Sequence, residues 1–259
     1  MKIAVCVRRV PDTSEALVKV DETGRDIVKD KLAFTINESD NYALEEALLL
    51  KESAEAEVTL VTVGAKDCTD VLRMGLAKGA SRAVRIDDAG LEQADGLALA
   101  RVLAGFFSGE PFDLIFTGCI AQDIEDSQVG AALAQYLGRP HAAYVVKLEK
   151  KDGRFAVRRE LEGGLLEVEE LPMPCVVSIQ TGGNTPRYAS IMGIKRAGAR
   201  PLEEKGTADL GLADADFESK TKLLRLYVPE VLSAAEMIEG DTGEKAARLA
   251  EILKVKGLV

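Results

Sequence analysis

Short apolar runs alternate with longer amphipathic stretches from residue 2 to about residue 140, and this alternation restricts the fold more than any other feature. Lys2–Val7, Val58–Val63, Ala83–Ile86 and Asp113–Phe116 are near-continuous apolar runs of strand length. Helical spacing recurs between them. Tyr42, Ala43, Ala47, Leu48 and Leu50 follow Asn37-Glu38-Ser39-Asp40, and further helical patterns cover Cys68–Lys78, Ala94–Phe107 and Ser127–Leu137. Apolar strands separated by helices imply a parallel sheet with helices on both faces, since parallel neighbours need a crossover connection. Asn37 or Ser39 is the expected N-cap of the first helix, with acids in its first turn.

After residue 140 the pattern changes. Val145–Glu149, Phe155–Arg159 and Leu165–Glu169 alternate with period two around turns at Asp152-Gly153 and Gly163-Gly164, which predicts an antiparallel extension. Cys175–Gln180 is a further apolar strand. A glycine-rich polar stretch (Thr181–Pro186), a basic segment (Lys195–Arg200), a linker-like acidic region (Glu203–Glu218) and a terminal helix (Glu244–Lys256) follow. The expected fold class is α/β, a parallel twisted sheet with helices on both faces, an antiparallel extension and a C-terminal arm.

Several function classes are disfavoured. A net charge of −10 argues against nucleic acid, whose backbone demands clustered Lys and Arg. No run approaches the roughly 20 apolar residues that span a bilayer. Met1-Lys2-Ile3-Ala4-Val5 enters a strand directly and lacks the layout of a secretory signal, so a cytoplasmic location is expected. Cys6, Cys68, Cys119 and Cys175 are scattered without a CxxC pair, and the single histidine, His141, cannot build a multi-histidine metal site. No metal site is expected. GxxxxGK[ST], a strand-following GxGxxG, GxSxG and HExxH are all absent.

Ligands of open parallel sheets bind beyond the C-terminal ends of the strands, at a topological switch point. Three strand ends qualify: Cys6–Pro11, Val63-Gly64-Ala65 and Gly118–Gly130. In the last, Gly118 lets backbone approach a ligand, and Asp123 and Asp126 are candidate acceptors for ribose hydroxyls or an adenine amine. Ser127-Gln128-Val129-Gly130 puts free N–H groups and a hydroxyl at a helix start, which suits phosphate. Helix capping by Asp126 or Ser127 is the competing structural explanation.

Five further segments carry a family resemblance. Val7-Arg8-Arg9-Val10-Pro11-Asp12-Thr13, Asn37–Asp40 with Ala43-Leu44-Glu45-Glu46-Ala47, Ala77-Lys78-Gly79-Ala80, Arg159-Glu160-Leu161-Glu162-Gly163-Gly164 and Asn184-Thr185-Pro186-Arg187-Tyr188-Ala189 occur in that order. Together they resemble the electron-transfer flavoprotein β subunit over about residues 1–200. The resemblance implies a heterodimer whose larger α subunit carries FAD, with an adenine nucleotide in the β subunit: AMP in ordinary members, a second FAD in electron-bifurcating ones. It also implies a fold like that of the adenine nucleotide α-hydrolases. Matched by motif, the nucleotide site comprises Cys6, Asn37, Glu38, Ser39, Asp40, Val63, Gly118, Cys119, Ile120, Ala121, Gln122, Asp123, Asp126, Ser127, Gln128 and Val129. Pro186, Arg187, Tyr188 and Ile191 lie in the segment 184–192 that resembles a loop docking on acyl-CoA-type dehydrogenases, with Ile191 as its apolar anchor. Glu160 matches an acid that touches the mobile flavin domain.

The sequence also departs from the family. Gly-[Lys/Arg]-Gln-Ala-x-Asp is replaced by Gly118-Cys119-Ile120-Ala121-Gln122-Asp123, so the turn is expected to hold its ligand by backbone and by Asp123, Asp126 and Ser127. Thr13 stands where AMP-type members often have tyrosine. The reading that results is a nucleotide-binding domain at 1–200 and a linker and partner-gripping arm at 201–259. The function expected is electron transfer from dehydrogenases to a membrane or soluble oxidoreductase, with no catalytic acid or base in this chain. AMP is favoured over a second FAD. A stand-alone nucleotide-binding stress-type protein is the reading from another class.

Overall fold

A computed structural model of the chain describes residues 1–14, 16–91, 94–230 and 235–259. It divides into two units, Met1–Lys19 with Val28–Leu224, and Val20–Ile27 with Arg225–Val259. In chain order the first unit contains β1 (Lys2–Cys6), β2 (Arg9–Pro11), β3 (Phe34–Ile36), α1 (Glu38–Ser53), β4 (Glu57–Val63), α2 (Thr69–Lys78), β5 (Arg82–Ile86), α3 (Gly96–Gly109), β6 (Leu114–Gly118) and α4 (Val129–Leu137). It continues with β7 (His141–Lys151), β8 (Arg154–Glu160), β9 (Leu166–Pro172), β10 (Cys175–Ile179), α5 (Ile191–Ala199) and β11 (Glu203–Lys205).

The main sheet has nine strands in the order β11-β5-β4-β1-β6-β10-β7-β8-β9. Pairings are parallel from β11 to β7 and antiparallel from β7 through β9. The central strands are mostly apolar because both their faces are covered. Period-two alternation sorts them into two cores. Ile3, Val5, Leu60, Leu114, Phe116 and Val177 pack with α1 and α2 on one face. Ala4, Cys6, Val61, Ile115 and Val176 pack with α3 and α4 on the other. Phe106, Phe107 and Phe112 fill this second core, with Phe107 and Phe112 edge-to-face at 5.4 Å.

Three features depart from the sequence reading. Arg9–Pro11 pairs antiparallel with Phe34–Ile36 as a separate two-stranded ribbon, where only a turn was expected at Pro11. Ile191–Ala199 is helical, capped by Ser190, whose hydroxyl accepts from the Gly193 N–H. Glu203–Glu218 looked linker-like because of its acids, yet β11 pairs parallel with β5 and Phe217 is buried in the second core. Two of its acids, though exposed, are paired: Arg82 donates to both oxygens of Glu203 at 2.6 Å, and Arg85 pairs with Glu204 at 3.3 Å.

The predicted Gly-Gly turn after β8 has a backbone cause. Gly163 and Gly164 have φ of 75° and 76°, in the left-handed region where a side chain is strained.

In the second unit, Val20 bridges Ile27, and the Leu226 N–H donates to the Gly24 carbonyl at 2.7 Å. Its helix, α6 (Thr242–Val255), starts with a capping box between Asp241 and Glu244, and none of its residues is buried. No helix among the described residues is long and apolar enough to cross a membrane.

Segment 181–190 is fastened to α1. Asn184 donates to the Tyr42 carbonyl at 3.1 Å and to Glu46 at 3.0 Å. Arg187 binds the buried Glu45 carboxylate through Nε at 3.1 and 3.0 Å and Nη2 at 2.9 Å, and reaches Glu52 through Nη1 at 2.5 Å. Arg187→Ala leaves Glu45 buried without its cation. The expected loss is about 2 kcal/mol of unfolding free energy by urea titration, with Glu45→Gln/Arg187→Ala less than additive.

Candidate functional site

The chain runs from β1 to β4 and β5 on one side, then crosses to β6 on the other, so β1 and β6 flank the switch point of the sheet. A cleft opens there, at the kind of place where open parallel sheets take small molecules. Cys6, Val63, Gly118, Cys119, Ile120, Ala121, Asp126, Ser127 and Val129 line it, together with Asn37 and Asp40 at the start of α1. Glu38, Ser39, Gln122, Asp123 and Gln128 do not. Val7 and Arg8, within the expected strand end Cys6–Pro11, line it too, and the sequence reading missed Val61, Leu99, Leu103 and Thr117. Leu99 and Leu103 were legible as an i, i+4 pair on α3, but not as a wall of this cleft.

The start of α1 and the turn after β6 form one construction. Asn37 occupies the N-cap position, but neither its side chain nor that of Ser39 caps the helix. They reach across instead. Asn37 donates to the Ile120 carbonyl at 2.8 Å and accepts from the Gln122 N–H at 3.0 Å, while the Ser39 hydroxyl donates to the same carbonyl at 2.8 Å. Gln122 in turn accepts from the Glu38 N–H at 3.0 Å. Asp40 accepts from the N–H groups of Arg8 at 2.7 Å and Gly118 at 2.9 Å. Gly118 was expected to admit a ligand to the backbone. The space a Cβ would take is filled by Ser39 and Asp40, whose backbone nitrogen lies 2.8 Å from it. Glycine is needed there for the packing of α1 on β6.

At the far end of the turn the Ala121 N–H donates to the Asp126 carbonyl at 2.9 Å, closing a loop in which Glu125 has φ 51°. Asp126 accepts from the Gln128 N–H at 3.0 Å, but α4 has no side-chain cap. Its first-turn N–H groups therefore lack intrahelical partners and face the ligand end of the sheet as open donors. Gly130 sits over a buried network, His141 Nε2 to Ser178 Oγ at 2.9 Å and Ser178 Oγ to Thr117 Oγ1 at 2.8 Å. Burial, with Arg159 nearby, lowers the His141 pKa and favours the neutral ring.

The electrostatics of the cleft disfavour thiol chemistry. Burial pushes the thiols of Cys6 and Cys119 up, the latter to about 11, so both remain neutral wall atoms. All four cysteines are free. Asp123, a candidate ligand acceptor, is held by Arg8 through Nε at 2.8 and 3.0 Å and Nη2 at 2.7 Å. A second cleft, lined by Thr13, Glu38, Gln122 and Asp123 among others, lies on the other side of this pair. Among the described residues no group of His, Cys, Asp and Glu could hold a metal ion.

The docking candidates separate into two kinds. Arg187 is engaged within the chain and Pro186 is half-buried, whereas Tyr188 and Ile191 are 98% and 86% exposed. Glu160 is exposed at the end of β8.

Burial raises the pKa of Asp40 from 3.8 to about 7, against the opposing effect of its hydrogen bonds from Arg8, Asn37 and Gly118. Between these two values the folded chain keeps a proton that the unfolded chain releases, so Asp40 contributes stability below pH 3.8 that is lost as pH rises to about 7. The unfolding free energy of the native chain minus that of Asp40→Asn is expected to fall across this window and level off above it. A difference that stays flat across this window would show a carboxylate already ionised in the folded chain there.

The family model described as the electron transfer flavoprotein domain matches residues 26–210. The chain is 40% identical over 260 residues to the electron transfer flavoprotein subunit beta of Methylophilus methylotrophus, covering 98% of each. It is 35% identical over the whole of both chains to the protein of that name from Bacillus subtilis. It is also 34% identical, again over the whole of both, to the caffeyl-CoA reductase-Etf complex subunit CarD of Acetobacterium woodii. With its parallel sheet, its switch-point cleft and full-length relatives of this kind, the chain belongs to the electron transfer flavoprotein β-subunit family.

Proposed function

We propose that this chain is the smaller subunit of a heterodimeric electron-transfer flavoprotein and binds AMP in the switch-point cleft. The complex then carries electrons from acyl-CoA-type dehydrogenases to a membrane or soluble oxidoreductase through FAD in the larger subunit. The observation that carries the AMP assignment is the partition beside the cleft. Its walls run through Asn37, Ala121 and Arg8, while Glu38, Gln122 and Asp123 belong to the second cleft. The Arg8–Asp123 pair and the Asn37–Gln122 hydrogen bond stand between the two. A mononucleotide has to occupy one side only, whereas a dinucleotide has to cross the partition.

The residues present suit an adenine nucleotide. Leu99, Leu103, Val61 and Val63 offer an apolar wall to a base, and Ser127 with the open N–H groups at the start of α4 suits a phosphate. AMP itself supplies no redox chemistry; bound here it stabilises the fold of the cleft by mass action. This chain contributes scaffold and docking surface, with no acid–base residue, and works in the cytoplasm. Tyr188 and Ile191 are the dehydrogenase contacts, anchored from behind by Arg187. Residues 1–200 form the nucleotide domain, and 201–259 include the arm for the larger subunit, with Leu249, Val255 and Leu258 of the arm exposed.

A second FAD in place of AMP is the alternative, favoured by the likeness to a subunit of a caffeyl-CoA reductase-Etf complex. Co-expression with the larger subunit, followed by denaturing release and chromatography of bound nucleotides, separates the two. One FAD and one AMP per heterodimer is expected. Two FAD would replace the AMP assignment, and a colourless homodimer would overturn the proposal and favour a stand-alone nucleotide-binding protein. Ile191→Asp is expected to leave the flavin content unchanged and to slow reduction by the dehydrogenase about tenfold or more, as loss of an apolar anchor does.

A further inference from the structure

Arg8 is the one basic side chain among the described residues that line the switch-point cleft. The other ionisable groups there besides its cysteines are the acids Asp40 and Asp126, in a chain of net charge −10. The turn after β6 offers no cation at its start, where Cys119 and Ile120 stand. A phosphate entering this cleft therefore meets acids, open helix N–H groups and a single guanidinium.

The guanidinium is prepared in a particular way. The Arg8 backbone is fixed by the bond from its N–H to Asp40 at 2.7 Å, so only the side chain has freedom. Asp123 takes the side-on edge of the fork, through Nε at 2.8 Å and Nη2 at 2.7 Å. Nη1 makes no hydrogen bond among the described residues, leaving the end-on edge formed by Nη1 and Nη2 open to a second anion. Phosphate oxygens match that edge in spacing and charge.

We infer that Arg8 is the side chain that binds the phosphate of the nucleotide, and that Asp123 is a positioning residue that holds it side-on. The inference rests on the nucleotide-site reading above and adds the source of its positive charge. It moves Asp123 from ligand acceptor to the group that aims the cation. With Cys119 in place of a basic residue, the positive charge of the cleft arrives from the end of β1 instead.

The test compares AMP with adenosine, which differs from it by the phosphate, on the full chain co-expressed with its larger subunit and stripped of bound nucleotide. Titration calorimetry on the wild type, Arg8→Gln, Arg8→Lys and Asp123→Asn gives the affinities, and thermal unfolding checks the fold of each. Arg8→Gln is expected to weaken AMP binding about tenfold or more, as loss of a charged hydrogen bond does, and to leave adenosine within about twofold. Arg8→Lys, which keeps the charge without the fork, should regain part of the loss. Asp123→Asn should weaken AMP by a smaller factor and spare adenosine. Unchanged AMP affinity in Arg8→Gln, or an equal loss for AMP and adenosine across the Arg8 variants, would overturn the inference while leaving the nucleotide site standing. A wild-type complex that binds neither compound would sink the nucleotide site itself, and the role of Arg8 with it.

Discussion

The arrangement of the site depends on one buried carboxylate. Asp40, 6% exposed, accepts from the backbone N–H of Arg8 just beyond β1 and from that of Gly118 at the end of β6, while belonging to the first turn of α1. Three segments far apart in sequence meet at two oxygens. A hydrogen bond to a charged or strongly polar buried group contributes more than a surface one, and leaving such a group unpartnered costs more again. The cleft inherits this rigidity: its floor is the two strand ends, and its rim is the turn that Asn37 and Ser39 stitch to the same helix.

Much of the fold could be read from the amino acids because its strands are of the simplest kind. β1, β4, β6 and β10 are buried on both faces, so their runs are mostly apolar and the helices between them keep their own period. What was misread had its signal in a partner distant in the chain. The acids of 203–218 resemble a solvated linker until Arg82 and Arg85, more than a hundred residues earlier, are seen to pair with Glu203 and Glu204. The ribbon of Arg9–Pro11 needs Phe34–Ile36 as its partner, and neither piece alone is long enough to carry a strand pattern.

The site was legible in outline and misjudged in its division of labour. The turn after β6 was located correctly as a feature of the sheet, since the strand–helix order fixes where the switch point lies. The sequence offers Asn37 or Ser39 as the helix cap, places both in the nucleotide site by motif, and reads Asp123 as an acceptor for ligand. Local sequence offers capping as the default use of Asn and Ser, and only the packing of α1 on β6 redirects them. Arg8 stood within a quoted motif without being chosen, because nothing in its neighbours marks which of Arg8 and Arg9 turns toward the cleft. Arg9 turns to Asp67, Asp70 and the face of Phe34.

The strand order leaves the nine-stranded sheet open at β11 and β9, and each end is poorly suited to receive another chain. β11 is three residues long and two of them are glutamate. β9 carries Glu167, Glu169 and Glu170 and ends in Pro172, which lacks a donor. A second copy laid against either margin would bring carboxylates face to face. A sheet this large, with a deeply apolar middle, is thereby discouraged from growing into filaments by strand addition, and its association is steered toward surfaces built from side chains.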